Sequence, residues 1–406
     1  MTLLPEAKLY VDGTLRVAAG LVKKLRDLFE ENKERLSQLA RIEAGAALGA
    51  VGRAHVDMAL DGWDDYLRVF PEVKWETDYG TREGYGFTSH RRAFREPVGV
   101  VGAISPWNVP LYVNVGKVVA ALLAGCTVIL KPAPDTPGTG VINVVFGSDP
   151  AEAGEMLVTD PRVDLISFTG STGIGKRIME QGAKTLKRVF LELGGKSAKI
   201  ILDDAPNFAM EVAQTMLVFH AGQGCAVQSR LLVPASRYEE TKAILAQAYA
   251  GFGDNWGDFD NPQQIMGPVI SQRQMDRVLS YIKLGQEEGA TLLAGGKARP
   301  DKGTGYFIEP TVFVDVTNDM RIAQEEIFGP VLVVIPFEDD DDAVRIANDS
   351  DYGLSGGVSS GDFDRAMAVA RRIRTGSVSV NGGMCIAGDI PFGGYKASGV
   401  GREWGR

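Results

Sequence analysis

The chain has 406 residues, of which 45% are apolar and 23% charged, so it is long enough for two or more packed cores. Its net charge of -9, with no block of Lys and Arg, argues against nucleic acid and anionic membrane as partners and favours a small molecule. The N-terminus lacks a signal-peptide pattern and no apolar run approaches the roughly 20 residues of a membrane helix, so the sequence predicts a cytoplasmic protein.

The N-terminal elements are predicted from turn chemistry and helical spacing. KLYVDGTLRV (8–17) has an Asp-Gly pair between two short apolar runs, which is typical of a hairpin. The segment 21–45, LVKKLRDLFEENKERLSQLARIEAG, repeats apolar residues at helical spacing and predicts one amphipathic helix.

Two α/β lobes are predicted further along the chain. From Val98, short apolar strands alternate with helices, which is typical of a parallel sheet covered by helices on its faces. A second series of strands and helices runs from SAKIILDD to SVSVNGG and predicts a second α/β lobe.

One connection in the first lobe is unusually short. Only KPAPDTPGTG separates the predicted strand Thr127–Leu130 from the predicted strand Val141–Val145. Parallel neighbours need a crossover of about a dozen residues or more, and the prolines and glycines here exclude a helix. Either these strands are not parallel neighbours, or the connection leaves apolar sheet surface uncovered.

Two polar residues beside predicted strands are candidates for catalysis. Asn108, in ISPWNVP, has a side-chain amide that can donate to an oxyanion, although capping of the turn is an alternative. Glu192, in FLELGGKSAKI, lies among apolar residues that tend to raise a carboxyl pKa toward that of a general base. The alternative for Glu192 is a simple charge at the edge of a sheet.

A cysteine among small residues is a candidate nucleophile. Cys225, in FHAGQGCAVQSR, follows the helix-like run EVAQTMLVFH, and its glycine-rich surroundings leave it uncrowded, as a reactive thiolate requires. Because free cysteines are usually buried, an inert thiol is the alternative, and Cys126 fits that description. Cys385 lies in a loop without a neighbouring base, and the three histidines have no metal-ligand spacing, so no metal site is expected.

A glycine-rich turn is a candidate phosphate site. FTGSTGIGKRI (168–178) follows a strand and opens a helix, so Gly170 and Ser171 lie where backbone N–H groups point toward an anion. It matches neither the dinucleotide fingerprint nor a Walker loop, and a plain tight turn is the alternative.

Taken in order, the segments ISPWNVP, LKPAPDTP, FTGSTGIG, LELGGK, GQGCAVQSR, EEIFGPVL, SVSVNGG and PFGGYKASGVGRE resemble the aldehyde dehydrogenase superfamily. The resemblance runs from about Leu21 to the last residue. It implies an α/β fold with a doubly wound parallel-sheet cofactor-binding domain (1–192, with a β flap at about 78–96), a second α/β catalytic domain (193–390) and a C-terminal return segment (391–406). A small β oligomerisation element is also implied.

The resemblance further implies a reaction and its groups. Cys225 matches the nucleophile that attacks an aldehyde to give a thiohemiacetal and, after hydride transfer, a thioester. Asn108 matches the oxyanion donor, and Glu192 the base that activates water, so the product is a carboxylic acid. The implied cofactor is NAD or NADP, and the residues that match its binding site are Ile104, Pro106, Trp107, Lys131, Gly170, Ser171, Leu193, Glu326 and Phe328.

The sequence also departs from the family pattern. Pro134, followed by Asp135, stands where many NAD-preferring members have a glutamate, which leaves the choice between NAD and NADP open. Relative to the family pattern, the chain is shortened at Gly20, between Pro137 and Gly138, and at its end. A homo-oligomer, dimer or tetramer, is expected, although the tail that adds a strand to a neighbouring subunit in the family is short here. The alternative functions are a non-catalytic cofactor- or partner-binding protein and a thiol esterase without hydride transfer.

Overall fold

The computed structural model describes residues 16–51, 55–137, 150–215, 217–254, 256–258, 261–383 and 386–405. The helices in these ranges are α1 (Arg16–Glu31), α2 (Lys33–Ala44), α3 (Leu48–Val51), α4 (Asp57–Val69), α5 (Pro110–Leu123), α6 (Pro150–Thr159), α7 (Thr172–Gly182), α8 (Phe208–Ala213), α9 (Tyr238–Phe252), α10 (Gln272–Glu287), α11 (Arg321–Gln324), α12 (Asp340–Asn348) and α13 (Phe363–Ala370). The strands are β1 (Glu76–Gly84), β2 (Phe87–Phe94), β3 (Val100–Ile104), β4 (Thr127–Lys131), β5 (Leu165–Thr169), β6 (Arg188–Glu192), β7 (Ala198–Ile201), β8 (Arg230–Pro234), β9 (Thr291–Ala294), β10 (Thr311–Val314), β11 (Val331–Phe337), β12 (Tyr352–Gly353), β13 (Ser355–Ser359), β14 (Ser377–Val380), β15 (Tyr395–Lys396) and β16 (Gly399–Val400).

The first sheet has five strands in the order β16-β6-β5-β3-β4, and only β16 runs antiparallel to its neighbour. Side chains of β3 alternate between its two faces, as the period of a strand requires. Val101 and Ala103 pack in the core that includes Val118 of α5, whereas Ile104 packs in the core that includes Leu157 of α6 and Ile178 of α7. Helices therefore cover both faces.

The second sheet has seven strands in the order β14-β13-β7-β8-β11-β10-β9, all parallel except β9. Its two faces are also both buried. Ile200 belongs to the core that includes Val278 of α10, and the next residue, Ile201, belongs to the core that includes Leu245 of α9. The predicted α/β class, with two parallel sheets wound on both faces, is confirmed.

Two smaller β elements complete the fold. β1 and β2 form an antiparallel hairpin whose side chains are nearly all exposed. β15 pairs with β12 beside the second sheet, whereas β16 pairs with β6 of the first, so the segment after Pro391 connects the two sheets.

The single helix predicted over 21–45 is two helices. The chain leaves helical geometry at Asn32, between α1 and α2, and α2 ends at Gly45 in the left-handed region. Several residues of the apolar repeat are exposed, with Ile42 at 81%, while Val22 and Ala40 supply buried positions instead. The periodicity identified the helical state but not the break, because Asn favours a local turn over a continued helix.

The helical run predicted before the candidate nucleophile is shorter than expected. α8 ends at Ala213, and the chain then turns before a short 3-10 segment at Phe219–Gly222. The first eight residues of the predicted hairpin, the predicted strand Val141–Val145, most of its short connection and Cys385 lie outside the described residues; Arg16 and Val17 begin α1 rather than ending a hairpin. Cys126 is buried against α5, as predicted. Across the described ranges, each helix is too short or too polar to cross a membrane.

Candidate active site

The candidate residues Asn108, Glu192 and Cys225 line one cavity. Asn108 follows β3, Glu192 is the last residue of β6, and Cys225 lies in the loop before β8. The carboxyl ends of parallel strands meet at one edge of a sheet, where ligands of open α/β sheets generally bind. The fold therefore brings together three residues that are far apart in sequence.

The loop that carries Cys225 has an unusual backbone. His220, Ala221 and Gly222 all adopt left-handed geometry, with φ values of 49°, 50° and 70°. A side chain at Gly222 would put its Cβ atom 2.3 Å from the carbonyl oxygen of Gly329, so glycine is required. The loop reverses direction within three residues and presents Cys225 at its end.

Buried hydrogen bonds fix this loop. The side-chain amide of Gln223 donates to the carbonyls of His220 and Pro268 at 3.1 and 3.3 Å, and its oxygen accepts from the Ile270 N–H at 2.9 Å. Asn108 Nδ2 donates to the Gln223 carbonyl at 3.0 Å. The candidate oxyanion donor and the nucleophile loop are therefore directly connected, and Asn108 is only 5% exposed.

The two glycines after Glu192 allow their backbone to lie close to the Glu326 side chain and to the Cys225 backbone. A Cβ atom at Gly194 would lie 2.4 Å from Glu326 Oε2, and one at Gly195 would lie 2.4 Å from the Cys225 carbonyl oxygen. The Gly195 N–H donates to Glu326 Oε1 at 3.0 Å. The LELGGK motif thus packs against both the nucleophile loop and Glu326.

Cys225 lines two adjoining spaces. One, of about 440 Å³, reaches the N-terminus of α7 and is called the α7 cleft below. The other, of about 270 Å³, has mainly apolar walls and is called the apolar cavity. Cys225, Asn108 and Thr169 line both spaces, so a group in either one can reach the same thiol.

Burial, together with the Glu192 and Glu326 carboxylates, raises the pKa of Cys225 well above its ordinary value. The thiol is therefore protonated at neutral pH in this state, although it is partly accessible. A nucleophilic role requires that its proton be removed or that a positive charge be brought near it.

Most of the predicted cofactor residues line the α7 cleft. They are Pro106, Trp107, Gly170, Ser171, Leu193, Glu326 and Phe328. Trp107 and Phe328 meet edge to face, with ring centroids 5.3 Å apart. Ile104 and Lys131 do not line it: Ile104 packs in the core of the first sheet, and the buried Lys131 Nζ donates to the Pro132 carbonyl at 2.9 Å.

Helix α10 contributes residues that the sequence motifs did not indicate. The first two turns of α10 line the α7 cleft through Arg273, Gln274 and Arg277. Gln274 Nε2 donates to the carbonyl of Phe328 at 2.8 Å, and so holds one aromatic wall. An amphipathic helix gives no sequence signal that distinguishes such residues from an ordinary solvated face.

The α7 cleft has the features of a dinucleotide site. The first backbone N–H groups of a helix have no intrahelical partner, and α7 starts directly after Ser171 without a side-chain cap. This end of the helix favours an anion such as a pyrophosphate. Arg273 and Arg277, which also line the cleft, add positive charge.

Glu192 is only 3% exposed, and neither of its carboxylate oxygens has a hydrogen-bond partner among the described residues. Burial, and next the charge of Glu403, raise its pKa well above the usual value for a glutamate. It lines the apolar cavity. A buried carboxylate with free oxygens and a raised pKa is suited to accept a proton from water.

A buried ion pair lies behind Glu192. Lys117 Nζ is 2.7 Å from Glu403 Oε1 and donates to Ser167 Oγ at 3.1 Å. The backbone of Glu403 is fixed by two hydrogen bonds with Phe392, at 2.7 and 2.8 Å. Glu403 also lines the apolar cavity, so it is a further acidic group that the sequence motifs did not identify.

The apolar cavity has an aromatic wall built from distant segments. The Trp404 ring stacks between those of Tyr66 and Tyr112, with centroid distances of 4.7 Å on each side. Gly62 and Gly116 make room, because a Cβ atom at either would lie 2.8 Å from the indole. Further lining residues are Met58, Val109, Val113, Phe219, Val227, Ile386 and Phe392.

The residues around Cys225 in sequence contribute unequally to that cavity. The residues that flank the nucleophile loop in sequence are His220, Ala221, Val227 and Gln228. His220 and Val227 line the apolar cavity, whereas Ala221 is buried in the core of the second sheet and Gln228 lines a separate surface depression. In the part of the chain that the structure describes, no group of three or more His, Cys, Asp or Glu side chains is placed to hold a metal ion.

Comparison with known proteins gives a consistent result. Residues 13–406 match the family described as the aldehyde dehydrogenase family. A 3-succinoylsemialdehyde-pyridine dehydrogenase from a Pseudomonas species is 45% identical over 406 residues, which cover 95% of this chain and 82% of that protein.

Solved structures agree with the sequence comparison. An aldehyde dehydrogenase of Mycobacterium tuberculosis in complex with NAD+ superposes with a TM-score of 0.88 and is 40% identical. The superposition covers 96% of this chain and 82% of the Mycobacterium chain. A mutant of aldehyde dehydrogenase C from Pseudomonas syringae, in complex with NAD+ and octanal, gives a TM-score of 0.90 at 36% identity, covering 98% and 83%.

Proposed function

This chain belongs to the aldehyde dehydrogenase family, and we propose that Cys225, Glu192 and Asn108 oxidise an aldehyde to a carboxylic acid with a nicotinamide cofactor in the α7 cleft. The observation that carries this assignment is the position of Cys225 between the two spaces. The α7 cleft would hold the cofactor and the apolar cavity the aldehyde, so a substrate carbon bonded to Cys225 would lie next to the hydride acceptor.

The first step forms a carbon–sulfur bond. The Cys225 thiol gives up its proton to solvent, its sulfur attacks the carbonyl carbon, and the carbonyl oxygen becomes an oxyanion held by Asn108 Nδ2 and the backbone N–H of Cys225. A nicotinamide cofactor in the α7 cleft would supply the acceptor for the hydride that leaves this carbon, after which the substrate remains on Cys225 as a thioester. Because Asn108 is already anchored on the nucleophile loop, its amide is positioned before substrate arrives.

The second step hydrolyses the thioester. Glu192 removes a proton from a water molecule, which attacks the acyl carbon, and Cys225 leaves as the thiolate. The raised pKa makes Glu192 a stronger base than an exposed glutamate, and its unpaired oxygens are free to hold the water. The acid is the product because the acyl group is transferred to water.

The cofactor that we propose is NAD+, with which both structural relatives form complexes. The N-terminus of α7 and the two arginines of α10 would hold the pyrophosphate, and Glu326 with Phe328 would hold the nicotinamide ribose and ring. Lys131, which matches the family's adenosine-ribose ligand, points its amine at the Pro132 carbonyl here and would have to exchange that bond.

The test is the formation of reduced cofactor by purified protein. Wild type and Cys225→Ala are compared with an aldehyde panel, with NAD+ and NADP+ offered separately. Cofactor reduction by wild type alone, faster with NAD+, is the expected result. Equal reduction by both proteins would exclude Cys225 as the nucleophile, and ester cleavage without cofactor reduction would favour the thiol esterase alternative.

We further propose that the chain assembles as a homo-oligomer through the β1–β2 hairpin. Tyr79, Tyr85, Phe87 and Phe94 on this hairpin are all at least 60% exposed, which is unusual for aromatic side chains in one exposed element. The molar mass from light scattering should fall to that of a monomer in the variant Phe87→Glu, whereas a monomeric wild type would contradict the proposal.

A further inference from the structure

The indole of Trp404 fills a space that two neighbouring helices leave open. Gly62 lies in the interior of α4 and Gly116 in the interior of α5, and a Cβ atom at either would lie 2.8 Å from the ring. Glycine weakens the interior of a helix relative to alanine. Both helices therefore carry an unfavourable residue at the point where the ring lies.

Side-chain contacts hold the indole on both faces. Tyr66 and Tyr112 stack on it, each with ring centroids 4.7 Å away. The backbone N–H of Trp404 donates to the Tyr66 hydroxyl at 3.3 Å, and that hydroxyl donates to the Gly116 carbonyl at 3.0 Å. With both faces covered, the ring can move only within its own plane.

The backbone at Trp404 is held on either side. Glu403 exchanges two hydrogen bonds with Phe392, at 2.7 and 2.8 Å, and the Gly405 N–H donates to the Gly388 carbonyl at 3.1 Å. Trp404 lies in the left-handed region, with a φ of 63°, which is uncommon for a bulky residue. Such a conformation persists where the surrounding structure imposes it, so the position of the ring is fixed by the fold.

The other walls of the apolar cavity offer the body of a substrate few polar partners. Asn108 and Gln223 are bonded within the nucleophile loop, and Glu403 is in its buried ion pair. The hydroxyl of Thr169 and both ring nitrogens of His220 are covered by neighbouring atoms. A polar or charged group on the substrate would therefore lose its bonds to water without replacement, which is costly.

We propose that Trp404 determines the substrate range of the apolar cavity, and that the preferred aldehydes are molecules whose body, apart from the aldehyde group, is entirely apolar. The cavity has a volume of about 270 Å³. Since an apolar cavity of about 150 Å³ binds benzene, the body of a good substrate has up to about ten carbon atoms. The inference rests on the proposed function, because it assigns the apolar cavity to the aldehyde.

Trp404 differs from the other wall residues in what its side chain excludes. The same indole lines the cavity and fills the space in front of both glycines. Without it, the space between Tyr66 and Tyr112 would join the cavity, because neither helix has a side chain to fill it. The C-terminal segment, rather than α4 or α5, therefore sets this limit of the cavity.

The test in wild type is a series of unbranched aldehydes from butanal to dodecanal, with NAD+ as cofactor. Each added CH2 group that becomes buried should raise kcat/KM by up to about fourfold, and the rise should end near decanal. The charged analogue 6-oxohexanoate should be slower than hexanal by about 100-fold or more. A flat series, a rise that continues to dodecanal, or equal rates with 6-oxohexanoate overturns the proposal.

Trp404→Gly assigns the size limit to the indole. Glycine fits the left-handed backbone of residue 404, so the variant removes the ring without adding strain. The ratio of kcat/KM for dodecanal to that for octanal should rise by about tenfold or more, as further CH2 groups become buried. Effects on the neighbouring Glu403 act on both aldehydes alike and leave the ratio unchanged. A folded variant that keeps the wild-type ratio overturns the proposal.

A second variant narrows the cavity and keeps the aromatic stack, which covers a failure of Trp404→Gly to fold. Gly116→Ala adds a methyl group against the indole and displaces the ring within its plane, away from α5 and into the cavity. Alanine favours the helix. The ratio of kcat/KM for octanal to that for butanal should fall by about fourfold or more, and an unchanged ratio in the folded variant overturns the proposal.

The matched control is Gly251→Ala in α9, where an added Cβ atom would meet no atom within 4 Å. This variant should keep both ratios at their wild-type values. Oxidation of any aldehyde in the series measures the proposed function separately. Its absence throughout would contradict that function and with it this inference, whereas oxidation with unchanged ratios in the Trp404 and Gly116 variants contradicts only the role of Trp404.

Discussion

The two spaces beside Cys225 are built in different ways. The α7 cleft is lined by short continuous segments, at 106–108, 169–171 and 193–194, with one face of α10. The apolar cavity shares one continuous segment, 223–227, with the nucleophile loop, but its other walls are pairs and single residues from many elements, as far apart as Met58 in α4 and Trp404 near the C-terminus. A ligand held through backbone and glycine leaves a motif in the sequence, whereas an apolar ligand can be enclosed by interchangeable side chains and leaves none.

Because Cys225 lines both spaces, we expect its substitution to have the largest effect on activity. Cys225→Ala should lower aldehyde oxidation by about 10⁴-fold or more, because it removes the nucleophile. Cofactor should still raise the melting temperature, since the α7 cleft remains intact. Calorimetry with and without NAD+ checks this, and loss of the cofactor effect would mean that the two spaces are not separable.

Glu192→Gln should separate the two chemical steps. The amide cannot accept a proton, so steady-state turnover should fall by about 10³-fold. Formation of the thioester precedes the need for this base, so rapid mixing should still give a burst of reduced cofactor close to the enzyme concentration. A slow reaction without a burst would place Glu192 in the first step instead.

Asn108→Ala removes one oxyanion donor and leaves the backbone N–H of Cys225. We expect kcat to fall by about 10²-fold, as for single donors in other acyl-transfer sites. The variant also removes the hydrogen bond to the Gln223 carbonyl. Asn108→Asp, whose side chain can no longer donate, is a matched control of similar size and should be at least as slow; near-normal activity in either variant would contradict the assignment.

One pair of variants tests each space on its own. Glu326→Gln weakens the contact with the Gly195 N–H and should raise the KM for cofactor about tenfold while leaving that for aldehyde nearly constant. Val227→Ala should raise the KM for aldehyde about fivefold, because it removes apolar contact area from the apolar cavity. It should leave the KM for cofactor nearly constant. Equal effects on both KM values would show that the spaces are coupled.

The smallest effect is a shift in pH dependence. Glu192 must be ionised to act as a base, so activity is lost as the pH falls through its pKa. Burial raises that pKa, and Glu403 raises it further, so Glu403→Gln should lower it and move the acid limb of the kcat profile to lower pH. Glu403 pairs with Lys117, and freeing that cation acts in the same direction. An acid limb that stays in place or moves to higher pH would contradict this account.

The sequence predicted the α7 cleft far better than the apolar cavity. Asn108 and Ser171 follow strands of the first sheet and Glu192 is the last residue of one, so topology alone brings them to one edge. The helices of the site were less predictable. Arg273 and Arg277 look like ordinary solvated residues of an amphipathic helix, and Ile104, which the family pattern places at the cofactor, packs in the sheet core.

Contacts between distant segments were the least predictable part. His55 and His220 have no common motif, and only the packing of α4 beside the nucleophile loop brings their rings together. The same holds for Trp404 between Tyr66 and Tyr112, since three aromatic residues give no sign of stacking until the chain is folded. Such contacts depend on tertiary structure that spacing in the sequence does not contain.

The pairing of β16 with β6 has a consequence for synthesis on the ribosome. Ser398 bonds to the Gly194 carbonyl across 204 residues of sequence, and Gly399 lies opposite Glu192. The parallel strands of the first sheet emerge long before this last strand, so the nascent chain carries β6 with one unpaired edge. Until β16 is synthesised and pairs with β6, that edge of the sheet is open to association with other chains.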